Sequence, residues 1–318
     1  MSKLVVRTDG ILQIEQEDVD VLTAAGLEYR EATCTSEDDV IAAAQGAAGL
    51  LVLAEPITAR VLDALPDLEV VARFGVGLDT IDIPAATARG VRIVNVPDAN
   101  TTEVAAHAMA LILTLVRRVP QLNGAVQEGK WGFRNGGEGM HRISEMTAGI
   151  LGFGRIGRLV AESCRQLGFT VVVHDPFIKD DVVEAAGFRP VPLQELIASS
   201  DVLSLHVPMS EENRDIIGRE AIASMKDGAI IVNVSRGGLI DETALAAAVE
   251  SGHLAGAGID TVATEPLPAD SPLRGNPSIL ITPHAAHYSA ESLRETVHRA
   301  YADVARVLSG QPPQNPVN

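Results

Sequence analysis

Residues 146–176, MTAGILGFGRIGRLVAESCRQLGFTVVVHDP, constrain the fold more than any other stretch of the chain. The apolar run at 148–151 suits a buried parallel strand, and Gly152, Gly154 and Gly157 follow in the G-x-G-x-x-G spacing that opens a helix. Gly152 permits the tight turn, Gly154 lets the backbone approach a pyrophosphate, and Gly157 lets the helix pack closely on the strand. Amides at the helix start, those of Arg155 and Ile156 among them, face the anion. The helical pattern runs through Leu159, Val160 and Cys164 and ends at Gly168, and the β-branched run at 170–173 leads to Asp175. A carboxylate about 20 residues past the glycines accepts hydrogen bonds from a ribose 2′-OH and repels a 2′-phosphate. The spacing of the glycines alone is a weak signal; strand, helix and acid around it predict a nucleotide site, and Asp175 predicts NAD over NADP.

A chain of 318 residues exceeds the size at which one core usually keeps growing, so two domains are expected. Twenty-five basic residues against 42 acidic ones give a net charge of −17, which opposes binding to nucleic acid or an anionic membrane. An anionic substrate therefore needs a local positive site. The opening MSKLVVRTDG lacks the apolar core of a secretion signal and no run approaches the ~18 apolar residues of a membrane span. A cytoplasmic protein is expected. Cys34 and Cys164 stand far apart without a CxxC pattern and read as buried or free thiols.

Apolar runs at 3–6, 49–53, 68–72 and 91–95 alternate with helical patterns at 15–25, 38–44, 58–65 and 83–88, which implies a parallel α/β domain. Residues 101–119, rich in alanine and leucine, predict a long buried helix ending before Pro120 and passing from the first domain to the second. The stretch 121–143 shows no clear periodicity and reads as an excursion on the second domain. After the fingerprint come strands at 202–206, 229–234, 256–260 and 279–282, with helices at 193–198, 220–225 and 242–251, which complete a doubly wound sheet. An amphipathic helix at 290–308 is expected to pack back onto the first domain. The expected fold is thus α/β with two domains: a discontinuous substrate domain, 1–98 with 287–318, and a nucleotide domain, 99–286.

Four segments stand at the carboxyl ends of predicted strands, where an open parallel sheet places its ligands. In Arg73-Phe74-Gly75-Val76-Gly77 the glycines free backbone amides to form an anion nest, or simply an ordinary tight turn. Arg236, in Val234-Ser235-Arg236-Gly237, could clamp a carboxylate with its planar donor fork, or be a surface arginine. Asp260-Thr261 precedes Glu265, and Thr282-Pro283 precedes His284. A carboxylate-paired imidazole is a common means of moving a proton near neutral pH, with Glu265 orienting the ring and raising its pKa. Singly, Glu265 also reads as a solvated loop acid and His284 as a structural histidine. His284 and His287 have no further ligand cluster about them, so no metal site is expected.

Together ARFGVGLDTID, GILGFGRIGRLVA, VVVHDP, SDVLSLHVPMSEENRDIIG, MKDGAIIVNVSRGGLIDETAL, GAGIDTVATEPLP and ITPHAA resemble the D-isomer-specific 2-hydroxyacid dehydrogenases, over essentially the whole chain. The resemblance implies a flavodoxin-like and a Rossmann-like domain with the active site in their cleft, and a homodimer built on the nucleotide domain. It implies a catalytic trio of Arg236, Glu265 and His284, with the Val76 and Gly77 amides and Arg236 on the substrate carboxylate. Around NAD it places Gly152, Gly154, Arg155, Ile156, Gly157, Asp175, Val234, Ser235, Arg236, Asp260 and His284. The implied activity is reversible hydride transfer between NADH and a small 2-keto acid. TTEVAAHAMALILTLVRR, HDPFI and HAAHYSAES look most like the C-terminal-binding-protein branch and its bacterial relatives. That branch suggests an alternative function, an NAD(H)-sensing interaction module of corepressor type with little turnover.

Two departures from related patterns bear on substrate. His287 stands where the branch often carries Trp, which removes an aromatic wall. Ala54-Glu55-Pro56 stands where phosphoglycerate dehydrogenases commonly supply an Arg-Ser pair, and Glu55 would repel a phosphate. That, with the chain ending at Asn318 without a regulatory domain, disfavours 3-phosphoglycerate. Glu265, where formate dehydrogenases carry Gln, disfavours formate. Phe74, Trp131, His287 and Tyr288 are candidate neighbours of the substrate side chain.

Overall fold

A computed structural model describes residues 2–318. The chain divides into two compact units, one of Met1–Asn100 with Ser289–Asn318 and one of Thr101–Tyr288.

The first unit is built on five strands, β1 (Leu4–Arg7), β2 (Glu28–Glu31), β3 (Ala47–Val52), β4 (Val70–Arg73) and β5 (Arg92–Val94). They form one parallel sheet in the order β2-β1-β3-β4-β5, the flavodoxin-like arrangement. Successive residues of β3 alternate between two cores, Leu50 and Val52 entering one and Leu51 the other. That is the period of two expected of a sheet covered on both faces, and its phase breaks at Ala47 and Ala48, where the pairing with β1 shifts register. Helix Ala290–Leu308 belongs to this unit, where Val297, Ala300, Tyr301 and Val304 join the second of those cores with residues of β3 and β4. Its start is fixed by a capping box in which Ser289 and Ser292 exchange side-chain and backbone hydrogen bonds.

The second unit carries β6 (Thr147–Leu151), β7 (Thr170–His174), β8 (Arg189–Pro190), β9 (Val202–Leu205), β10 (Ala229–Asn233), β11 (Leu254–Ile259) and β12 (Ile279–Ile281). All pair parallel, in the order β12-β11-β10-β9-β6-β7-β8. The order reverses between β6 and β9, the switch point at which a doubly wound sheet opens a crevice beyond its strand ends. Ile230 and Val232 of β10 face a core that includes helices Thr101–Val116 and Arg155–Gln166, while Ala229 and Ile231 face the opposite core. Among the described residues no helix is long and apolar enough to cross a membrane.

Several expectations need correction. The helix expected at 101–119 ends at Val116, because Arg118 adopts a left-handed backbone with φ 49°. A second helix, Val119–Gln127, starts there with Pro120 in its first turn, where a missing N–H costs nothing. Part of the stretch read as aperiodic is therefore helical. The sequence reading missed β2, whose residues EYRE lie at the sheet edge and are largely exposed, so no apolar alternation marks them. It also missed the two-residue edge strand β8 and the short helix Asp180–Ala185.

Candidate active site

Each predicted segment of the second unit follows a strand of its sheet. The turn after β6 is shaped by its glycines. Gly152 has φ +96°, and a Cβ there would lie 2.5 Å from the His206 carbonyl oxygen. A Cβ on Gly157 would lie 2.0 Å from the Gly152 carbonyl oxygen, so the helix meets the turn at backbone contact. Gly154 differs, since a Cβ there would meet nothing within 4 Å. It caps helix Arg155–Gln166 without a side chain, and the first-turn amides of Arg155, Ile156 and Gly157 have no acceptor within the helix. Open space over Gly154, beside unpaired helix amides, fits a pyrophosphate.

Asp175, just past β7, accepts the Phe153 amide at 2.7 Å on Oδ2, and those of Phe177 (2.8 Å) and Ile178 (3.1 Å) on Oδ1. The acid expected at a ribose therefore also ties the glycine turn to the next loop. These features fit a dinucleotide.

Beyond β10, the buried Asn233 takes the Ser235 amide on Oδ1 (3.0 Å), and its Nδ2 donates to the Arg236 carbonyl (2.8 Å). Ser235 Oγ donates to the Leu205 carbonyl at 2.8 Å, and Arg236 donates to the Ser235 carbonyl at 2.8 Å. Val234 is buried. Asn233 is thus the brace of the segment that carries Arg236, a role the sequence reading missed. Its only signal was a polar residue closing an apolar strand.

Beyond β12, His284 Nδ1 lies 2.9 Å from Glu265 Oε2, both side chains being about two-fifths exposed (43% and 41%). Glu265 also accepts the Val262 amide on Oε1 at 3.3 Å. A carboxylate is an acceptor, so the Nδ1 proton points to Glu265 and Nε2 is the atom presented for chemistry. His284 has φ +53°, and its amide donates to the carbonyls of Asp260 (2.8 Å) and Thr282 (3.0 Å). Asp260, expected at the cofactor, has a fully buried side chain. Its Oδ1 accepts Thr282 Oγ1 (2.5 Å) and the Ala285 amide (2.9 Å), and its Oδ2 the Ala286 amide (3.0 Å). His287 meets the His284 ring edge-on, with centroids 5.9 Å apart.

In the first unit, Gly75 (φ +119°) opens the loop after β4, and the Val76 carbonyl accepts Asn95 Nδ2 at 2.8 Å. Among the described residues no acceptor meets the Val76 or Gly77 amide. Glu55 is buried, its Oε2 taking the Leu53 (2.8 Å) and Ala54 (3.2 Å) amides.

A doubly wound sheet with a glycine turn, a ribose-side acid and a carboxylate-paired histidine beyond its last strand defines a class of nucleotide-dependent dehydrogenases. The chain belongs to the D-isomer specific 2-hydroxyacid dehydrogenase family, whose NAD binding domain matches residues 109–286. It is 38% identical over 268 residues to a glyoxylate reductase of Korarchaeum cryptofilum, covering 84% of this chain and 81% of that protein. It is 37% identical over 306 residues to a D-3-phosphoglycerate dehydrogenase of Archaeoglobus fulgidus, covering 96% of this chain but 58% of the relative. The chain thus spans little more than half the length of that relative. The crystal structure of Aquifex aeolicus D-lactate dehydrogenase, complexed with NAD and lactic acid, superposes with a TM-score of 0.86 over 99% of both chains at 28% identity.

Proposed function

We propose that the chain is an NAD-dependent D-2-hydroxyacid dehydrogenase, reducing small 2-keto acids and running reversibly. The observation that carries this reading is the His284–Glu265 pair, 2.9 Å apart beyond the last strand of an NAD binding domain. Gly152, Gly154 and Gly157, the Arg155 and Ile156 amides and Asp175 hold the dinucleotide, with Val234, Ser235, Arg236 and Asp260 bordering it. When bound, NADH supplies the hydride that reduces C2 of the substrate. His284 donates its Nε2 proton to the C2 oxygen as charge develops there, and in the oxidative direction the neutral ring takes that proton back. Glu265 fixes the ring's tautomer and stabilises its positive charge. Arg236 clamps the substrate carboxylate, supplying the local positive charge that a chain of net charge −17 otherwise lacks. The Val76 and Gly77 amides form a second carboxylate anchor.

Glu55, buried and held by two amides, supports a substrate without a distal phosphate. Asp175 supports NAD over NADP. Trp131 (88% exposed) and Phe133 (72% exposed), after the helix that exposes Val119 and Val126, support a homodimer formed on the NAD binding domain. The direct test is NADH oxidation against glyoxylate, pyruvate, hydroxypyruvate, phenylpyruvate and 4-methylthio-2-oxobutanoate. Turnover that selects one side-chain size is expected. Tight NADH binding without turnover of any 2-keto acid would contradict the proposal.

A further inference from the structure

The loop presenting His284 depends on a helix that none of the chemical motifs includes. His284 holds a left-handed backbone that a residue with a Cβ rarely adopts, so its surroundings must over-determine it. They do so through Asp260. Its carboxylate binds Thr282 on one side of His284 and the Ala285 and Ala286 amides on the other. Among the described residues no Lys or Arg lies within ion-pair distance of it, and the one ring nitrogen near it is His107 Nε2, 3.6 Å from Oδ1.

The direction of each bond follows from proton counting. Both Asp260 oxygens accept N–H groups, so the Thr282 hydroxyl, 2.5 Å from Oδ1, donates to the carboxylate. A hydroxyl has one proton, and Thr282 Oγ1 must therefore accept in its 2.9 Å contact with His107 Nε2. The His107 proton sits on Nε2. His107 is carried by helix Thr101–Val116, next to the fully buried Ala108 and one turn from the buried Leu111, so its donor is fixed by a rigid element.

We propose that His107 is a positioning residue for His284, holding the acid–base loop through the chain His107 Nε2–H to Thr282 Oγ1–H to the Asp260 carboxylate. The catalytic consequence rests on the reading of His284 as the proton donor; the holding of the loop does not. Two variants separate the cases. His107→Leu removes the donor, whereas His107→Gln keeps an N–H at nearly the same reach.

The measurements are amide hydrogen exchange over 282–287 in the protein without added cofactor, NADH affinity by fluorescence titration, and steady-state kinetics with the best 2-keto acid. In His107→Leu the Ala285 and Ala286 amides should exchange about tenfold faster, and kcat should fall about tenfold with KM and NADH affinity within about twofold. His107→Gln should restore most of both. Wild-type exchange and kcat in His107→Leu would overturn the proposal, as would a loss that Gln does not rescue while Thr282→Val behaves like wild type. If His284→Gln kept full turnover, the acid–base reading would fail, and the exchange contrast between His107→Leu and His107→Gln would still decide the positioning role.

Discussion

His206 stands just past β9, its carbonyl beneath the glycine turn and its Nε2 2.9 Å from Ser204 Oγ. Burial pushes its imidazole down to about 3, from the ordinary value near 6.5. The unfolded chain takes up a proton below pH ~6.5 that the folded chain refuses until about pH 3, so stability is lost progressively across that window. Between pH 6.5 and 5 this one ring should cost at most about 2 kcal/mol. Denaturant unfolding at the two pH values, in wild type and His206→Asn, checks this: the difference should shrink in the variant. Asp175 carries a second prediction. Because it holds three backbone amides, Asp175→Ala should relax discrimination against NADPH and also destabilise the cofactor-free protein by about 1–3 kcal/mol. Competition binding of NADH and NADPH, with thermal unfolding, measures the two effects separately. The sequence marks the acid by its distance from the glycines, but its backbone partners are three-dimensional neighbours that no spacing encodes. His107 and Thr282 were illegible for the same reason: a histidine in an alanine-rich helix looks like any other until the loop it reaches is folded.

At the scale of elements, the glycine turn predicts opposite behaviour at two neighbouring positions. Gly157→Ala drives a methyl into the Gly152 carbonyl, so the helix must shift; stability should fall by about 1–3 kcal/mol and NADH affinity with it. Gly154→Ala meets no protein atom, so unfolding should be unchanged while NADH binding weakens through the methyl over the pyrophosphate path. Equal destabilisation in both variants would contradict this account of the turn. Elements buried on both faces, such as β3, β6 and β10, were legible as apolar runs because burial on both sides leaves no place for polar residues. The edge strands β2 and β8 were not, since pairing on one side and exposure on the other impose no pattern. The break at Arg118 was also hidden: Pro120 marks a helix boundary without saying whether a second helix begins there.

For the whole molecule, two parallel sheets with their own cores give a scaffold in which every segment of the proposed chemistry lies at a carboxyl strand end. The exposed Trp131 and Phe133 belong to this scale. If they form the proposed homodimer contact, replacing them by Ser should shift the sedimentation of the protein toward monomer, with the stability of the second unit little changed. The central claim is that a neutral-to-cationic His284, steadied by Glu265, moves the substrate proton, and its most direct test is the kinetics of His284→Ala at saturating NADH. The account predicts a kcat lower by about 10² to 10⁴ with NADH affinity largely retained. Full activity in that variant, with cofactor bound normally, would contradict it.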